Sequence, residues 1–483
     1  MKLGSSQAVV QACAFLRNII VARLLSPQDY GIAATFAMTF YLMEMISNLG
    51  METHTVQSEH GNEPRFQRTA HLLLTLRGLM NATFIFALAG PISSLFGVPQ
   101  ARWAFRVLAL TSLFKGLNHL DTYRFQREMR FGPSVTVDVS SNILVTLVAL
   151  PLCWWYRSYT AMLWVLILQA TTAMVLSHIV AERRYGWAWD PRYARRILDF
   201  GWPLLINGLL MYGIFQGDRF VIGAAHQIFG RSSLTLADLG VYSVAFSLNM
   251  APGTFVATVF GTLFLPHLAG VQKLRAQFER RFFGVSQIIA LVAAVICIPF
   301  IVAGGTLVTL IYGHKYAAVV GFMGWLAAMW ALRIIRVAPT MTALALGDTR
   351  NSMWSNAART VALAGVLLVA SRGGGLSAIA ICGLVGEVLA LAVCLWRLQR
   401  QHGVPASLCL RPSAVAGAGM LVAGLAAGAG VIHWGWMLSF PVAAALVLLH
   451  ALVMVAAFPD LRRTVTSLVL KARLRLAPET ASA

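Results

Sequence analysis

Acidic side chains are scarce in this sequence: 18 Asp and Glu stand against 38 Lys and Arg, and charged residues of all kinds make up only 12% of 483 positions. Hydrophobic residues reach 58%, and the mean hydropathy is +0.70. So little charge in so apolar a chain excludes an ordinary soluble protein and indicates an integral membrane protein. The six cysteines (Cys13, Cys153, Cys297, Cys382, Cys394 and Cys409) have no C-x-x-C spacing and sit mostly in apolar runs, which argues against a disulfide framework or a zinc site. There is no G-x-x-x-x-G-K-[ST] loop, no H-E-x-x-H and no G-x-S-x-G turn, so an ATP-driven pump, a zinc enzyme and a serine hydrolase are disfavoured. No catalytic residue, metal or cofactor is expected. The formal charge of +20 does not indicate nucleic acid, because no basic module stands free of the apolar spans. No small-residue cleavage pattern follows Met1-Lys2, so the first segment is expected to remain as a membrane helix.

What the chain has in abundance is apolar runs long enough to cross a bilayer. Counting stretches of about 20 residues between polar or Gly/Pro-rich turns predicts about fourteen transmembrane helices, from 3–25 to 436–458, including segments at 102–122, 199–223 and 316–346. Alternate loops differ in charge. One set carries Arg65 and Arg68, then Arg124, Arg127 and Arg130, then Arg183 through Arg196, and later Lys273, Arg275, Arg280, Arg281, Arg397, Arg400 and Arg411. The other set carries single cations such as Arg157, Arg231, Lys315 and Arg372. The positive-inside rule then places both termini in the cytoplasm. The tail from Leu461 to Leu476 alternates apolar residues with arginine, a pattern that suits an amphipathic helix on the inner leaflet or an ordinary basic tail. Trp154, Trp155, Trp187, Trp189, Trp202, Trp434 and Trp436 fall at span ends, as an interfacial aromatic belt does. His178, His267 and His450 near helix ends read as interfacial or packing residues.

An echo in the loops suggests an internal repeat. Asp29-Tyr30-Gly31-Ile32 opens the second span and Asp238-Leu239-Gly240-Val241 the eighth. An offset of six spans preserves orientation, which predicts parallel repeats. The expected fold is an all-α integral membrane protein of about 14 transmembrane helices: two pseudo-symmetric six-helix lobes, 1–198 and 199–412, an extra C-terminal helix pair at 413–460, and a basic cytoplasmic tail at 461–483. Gly424 and Gly428 have G-x-x-x-G spacing in the extra pair, but chance suffices in so Gly- and Ala-rich a stretch.

Charges inside the spans are the candidate functional residues. A charge at the centre of a membrane helix costs roughly 2.5–3.5 kcal/mol on insertion scales, so a group of them is expected around water or an ion. Arg23, Arg106, Arg219 and Lys115 lie shallow enough to snorkel to an interface. Arg17, Arg77, Arg333, Arg336 and Arg359 lie deeper and are expected to line a cationic cavity for an anionic substrate, since a guanidinium fork matches phosphate and carboxylate oxygens. Arg333 and Arg336 are three apart on one helix face, where they are placed to clamp a diphosphate. Glu44, Asp138, Asp218 and Glu387 are the candidate acids, for pairing with these arginines or for taking up a coupling proton.

These residues bring a family into view. Ala22-Arg23-Leu24-Leu25-Ser26-Pro27-Gln28-Asp29-Tyr30-Gly31 resembles the A-R-x-L-[ST]-P-x-[DE]-[FY]-G signature of bacterial polysaccharide flippases, in the multidrug, oligosaccharidyl-lipid and polysaccharide exporter superfamily. Asn48-Leu49-Gly50-Met51, Arg127-Glu128-Met129-Arg130-Phe131, Phe200-Gly201-Trp202-Pro203 and Asp218-Arg219-Phe220-Val221-Ile222-Gly223 follow in family order. The resemblance implies a Wzx-type flippase of the bacterial inner membrane, turning undecaprenyl-diphosphate-linked oligosaccharide repeat units to the periplasmic leaflet for exopolysaccharide, capsule or O-antigen synthesis. It implies alternating access, membrane lipid as surroundings, and a polysaccharide polymerase and chain-length regulator as partners. A lipid-linked peptidoglycan precursor flippase is disfavoured only by the loop motifs. A drug or cation antiporter should favour buried carboxylates over arginines, and a membrane-embedded polymerase should carry a large outer loop.

Overall fold

The computed structural model describes residues 2–230, 232–430, 435–463 and 466, with the side chains of 2–5 left aside. Arg231, Trp434 and nearly all of the basic tail lie outside the described residues. Every regular element among them is helical. In order these are α1 (Lys2–Leu24), α2 (Pro27–Ser47), α3 (Met51–Gln57), α4 (Pro64–Leu95), α5 (Arg102–Gly116), α6 (Asp121–Arg127), α7 (Gly132–Tyr156), α8 (Thr160–Ile179) and α9 (Pro191–Phe229). There follow α10 (Leu236–Ala269), α11 (Arg275–Tyr312), α12 (Val320–Ile335), α13 (Val337–Ala345), α14 (Thr349–Ser371), α15 (Leu376–His402), α16 (Ser407–Gly428) and α17 (Gly435–Ala457). Twelve described spans are long and apolar enough to cross a membrane, or thirteen when the bent pair α2 and α3 counts as one. The fourteenth expected span, 102–122, is α5. Its 15 residues rise only about 22 Å, short of a hydrocarbon core of about 30 Å, and it carries Arg102, Arg106 and Lys115. The chain is a multi-pass helical membrane protein.

Two compact units emerge. The first runs through Val244 and includes Ile311–Tyr316 and Val366–Leu376; the second takes Ala245–Leu310, Ala317–Gly365 and the described residues from Ser377 onward. In the first, α4 packs on α5 and α9, α7 on α1 and α8, and α2 on α9. The two sequence echoes become two matching helix starts. Asp29 N–H donates to Ser26 Oγ at 3.0 Å, and Asp238 N–H donates to Thr235 Oγ1 at 3.2 Å, the side-chain oxygen in each case satisfying an otherwise orphaned amide. Their glycines meet: a Cβ on Gly31 would lie 1.8 Å from Leu236 O, and one on Gly240 would lie 2.0 Å from Pro27 O. Only glycine permits that approach.

At one end of the same unit, Asp121 is fully buried. It accepts hydrogen bonds from Gln67 Nε2 (3.1 Å), Arg124 Nε (2.5 Å) and the backbone N–H groups of Glu182 (2.8 Å) and Arg183 (3.1 Å). Burial alone would raise this carboxyl, but the Arg124 guanidinium and the other donors hold it well below the usual carboxylate range. Arg124 also reaches Glu128 and Glu182, so the loops after α5 and α8 are tied by one charged knot.

The second unit is organised on α11. Phe278, Phe282, Val285, Ile289, Ala293 and Cys297 recur every three or four residues and are all buried, and Ala290, Ala294, Ile298 and Val302 bury a second stripe. The expected span 316–346 corresponds to one candidate span, His314–Ala345, whose hydrogen-bond pattern is interrupted at Arg336 between α12 and α13. Pro339 has no N–H to offer Ile335 O there, and Arg336 itself keeps helical dihedrals.

Candidate functional site

Arg336, at this interruption, reaches a site also reached by Arg333 from the last turn of α12, where a cation suits the helix dipole. Glu387 of α15 sits at the centre, with no exposed surface. Its Oε1 lies 2.7 Å from Arg333 Nε and 2.8 Å from Arg359 Nε of α14, and its Oε2 lies 3.4 Å from Arg336 Nε. Gly386 allows the approach of α14 and α15: a Cβ there would stand 2.6 Å from the Ala362 Cβ and 3.1 Å from Arg359 O. Arg336 Nη1 donates to Ser355 Oγ and Asn356 Oδ1, both at 3.1 Å, and the Arg333 guanidinium stacks 4.2 Å from the Trp330 ring. One carboxylate thus meets three guanidiniums in a buried setting. Buried charges are retained when hydrogen-bonded and paired, and Glu387 is the carboxylate on which these three converge.

Within the first unit, Glu44 of α2 forms the counterpart. Its Oε2 lies 2.7 Å from both Arg77 Nη2 of α4 and Lys115 Nζ of α5. Arg77 Nε donates to Ser47 Oγ at 3.0 Å, and Asn81 Nδ2 donates to the same hydroxyl at 2.8 Å. Arg77 and Asn81 are four apart on one face of α4, a spacing that could have drawn Asn81 into the candidate set. Lys115 is here an ion-pair partner as well as a residue whose side chain is 40% exposed, where its sequence position suggested snorkelling alone.

The remaining candidates are dispersed. Arg17 is buried on α1 and reaches Asn142 Oδ1 of α7 at 3.5 Å, the far limit of a hydrogen bond, with no carboxylate at ion-pair distance among the described residues. Asp138 is exposed on α7, and no ion pair to it is found among the described residues. Asp218 of α9 accepts from Tyr242 Oη at 2.7 Å and caps Arg219 N–H at 2.8 Å. The clamp envisaged for Arg333 and Arg336 is occupied by Glu387. Trp330, Ser355, Asn356, Ser47 and Asn81 belong to the networks without having been singled out by sequence, because neutral residues in apolar spans give no signal of their own.

The sequence model of a family described as polysaccharide biosynthesis protein matches residues 20–321. The chain belongs to the polysaccharide biosynthesis protein family. It is similar to the succinoglycan biosynthesis transport protein ExoT of Rhizobium meliloti (strain 1021), with 25% identity over 257 residues, covering 52% of this chain and 49% of that protein. It is also similar to the teichuronic acid biosynthesis protein TuaB of Bacillus subtilis (strain 168), with 20% identity over 307 residues, 60% of this chain and 59% of that one. The chain therefore spans about half the length of these relatives. Among solved structures, the lipid II flippase MurJ in an inward closed conformation matches with a TM-score of 0.70 and 13% identity, over 93% of this chain and 98% of that one. An inward-facing multidrug resistance MATE family transporter of the MOP superfamily matches with 0.61 and 13%, over 82% and 95%. At such identities the likeness is one of fold, and this polysaccharide biosynthesis protein has the fold of MOP superfamily transporters.

Proposed function

We propose that the protein is a flippase that moves undecaprenyl-diphosphate-linked oligosaccharide repeat units from the cytoplasmic to the periplasmic leaflet of a bacterial inner membrane, with both termini cytoplasmic. The observation that carries this reading is the Glu387 network, in which three guanidiniums gather on one carboxylate within a span region, where buried charge is costly. Such a site suits an anionic group rich in oxygen acceptors. A lipid diphosphate supplies one, and its oxygens match the guanidinium forks that now face Glu387. The substrate's charge replaces the carboxylate's at the arginines, and alternating access of the lobes 1–198 and 199–412, joined to the pair 413–460, carries it across. Arg17 and Arg77 are the further candidate substrate-binding cations, in the first unit. A polymerase and chain-length regulator would consume the product. Family membership and the transport proteins among its relatives support this reading.

The deciding experiment follows the leaflet distribution of lipid-linked repeat units in cells with and without the protein, the glycosyltransferases being intact. The expected result is trapping of the units in the inner leaflet and arrest of polymer export. Units that reach the outer leaflet unpolymerised, in the absence of another flippase, would overturn the proposal in favour of a polymerase.

A further inference from the structure

The first unit contains a second polar feature, next to Glu44 but separate in its chemistry. A cavity of about 230 Å³ is lined by Phe40 of α2, by Thr111, Lys115 and Asn118 at the end of α5, and by Leu166 and Gln169 of α8. It is smaller than the roughly 300–1,000 Å³ of pockets for drug-sized ligands, a size suited to one small ring.

Its polar groups alternate in kind. The Lys115 ammonium has three N–H donors; it gives one ion pair to Glu44 at 2.7 Å and lies 5.4 Å from the Phe40 ring centre. Thr111 spends its proton on Leu108 O at 2.6 Å, so its oxygen remains an acceptor. Asn118 Oδ1 is buried without a hydrogen bond from the protein, an acceptor that lacks a donor. Gln169, halfway along α8, lines the cavity with an amide that both donates and accepts. Polar groups at membrane depth ordinarily satisfy one another, and a buried acceptor left unmatched costs about 1–3 kcal/mol. These groups converge on a cavity and not on each other.

Acyl chains offer nothing to an amide, a hydroxyl and an ammonium. A bare anion would suit Lys115 but not the acceptors Thr111 and Asn118. Hydroxyl groups meet both demands, since each donates once and accepts twice, and the carbon face of a sugar ring suits the apolar side formed by Phe40 and Leu166. We infer that this cavity is a carbohydrate subsite, holding one monosaccharide of a lipid-linked oligosaccharide. The inference rests on the proposed function for its choice of sugar over other polyols. It adds a recognition element inside one unit, apart from the anion site at Glu387.

The test uses the full chain in phosphatidylcholine nanodiscs and saturation-transfer difference NMR, which detects weak sugar binding, with the methyl glycosides of glucose, galactose, mannose and glucuronic acid as probes. At least one glycoside should receive saturation, and Gln169→Leu and Asn118→Leu should each weaken its binding about tenfold, the loss of one or two hydrogen bonds. Arg280→Lys, an exposed residue of α11 outside both networks, should leave it unchanged. If Gln169→Leu does not fold, Gln169→Asn, which withdraws the amide by one carbon, gives the same reading. Absence of saturation for every glycoside, or binding indifferent to both substitutions, overturns the subsite. So does loss of the signal when phosphatidylglycerol is added to the nanodiscs, which would assign the cavity to a glycerol headgroup. The leaflet assay reports on the flippase reading independently, so failure of one is distinguishable from failure of the other.

Discussion

Each compact unit holds one buried glutamate gripped by cations, and the two are built to different charge balances. Glu44 shares a single oxygen between Arg77 and Lys115, and its lysine is 40% exposed. The exposed lysine weakens the pairing, and Ser47 Oγ accepts hydrogen bonds from both Arg77 Nε and Asn81 Nδ2. Glu387 has no exposed surface and faces three arginines. The first network sets one carboxylate against two cations, one of them partly exposed, whereas the second sets one carboxylate against three buried guanidiniums. An anionic substrate therefore has far more to gain at Glu387.

Removing the internal anion should have the largest effect. Glu387→Gln leaves three buried guanidiniums facing a neutral amide, and thermal denaturation in detergent should register a loss of about 3–5 kcal/mol, partly recovered by inorganic pyrophosphate. An unchanged Tm would erase the distinction between the two networks. Asp121 gives a reference outside the spans. Asp121→Asn should cost about 2–3 kcal/mol. Because the folded carboxyl lies below its unfolded value of about 3.9, the stabilisation is fully present above that pH and is lost as pH falls through the lower folded value. The deficit of the variant should accordingly stay constant from about pH 5 to pH 8 and shrink only below about pH 4. Glu44→Gln should cost less, about 1–2 kcal/mol, and show no recovery with pyrophosphate. Lys115→Met should be smallest, below about 1 kcal/mol in thermal stability; a larger loss would mean that the pair is shielded from solvent as Glu387 is.

Much of the fold was legible because helix length and hydropathy are local properties. What escaped was set by other forces. Helices α4 and α9 begin well before the apolar windows, at Pro64 and Pro191, since a polar first turn is still helix; Pro191 at the first position and the Asp190 side chain accepting from Arg192 N–H were the available signs. The shortness of α5 was hidden because Leu117 and Leu120 extend the apolar pattern past Gly116, although the backbone there is no longer helical. The deep arginines and the candidate acids were recognisable from the cost of burying charge. Their pairing was not, since Arg333 and Glu387 are 54 residues apart and nothing local states that they meet. Arg17, Asp138 and Asp218 show the limit of depth as a criterion: each lies in a span, yet none joins an arginine–carboxylate cluster.

The contact of Gly31 with the start of α10, and of Gly240 with the start of α2, has an evolutionary consequence. Each glycine stands against the backbone that carries the other, so a methyl group at either position pushes both helix starts apart. Single-step variation is closed at both codons, and an enlargement at one cannot be answered by trimming the other, which has no side chain to lose. The two echoes in the sequence should therefore drift together or not at all.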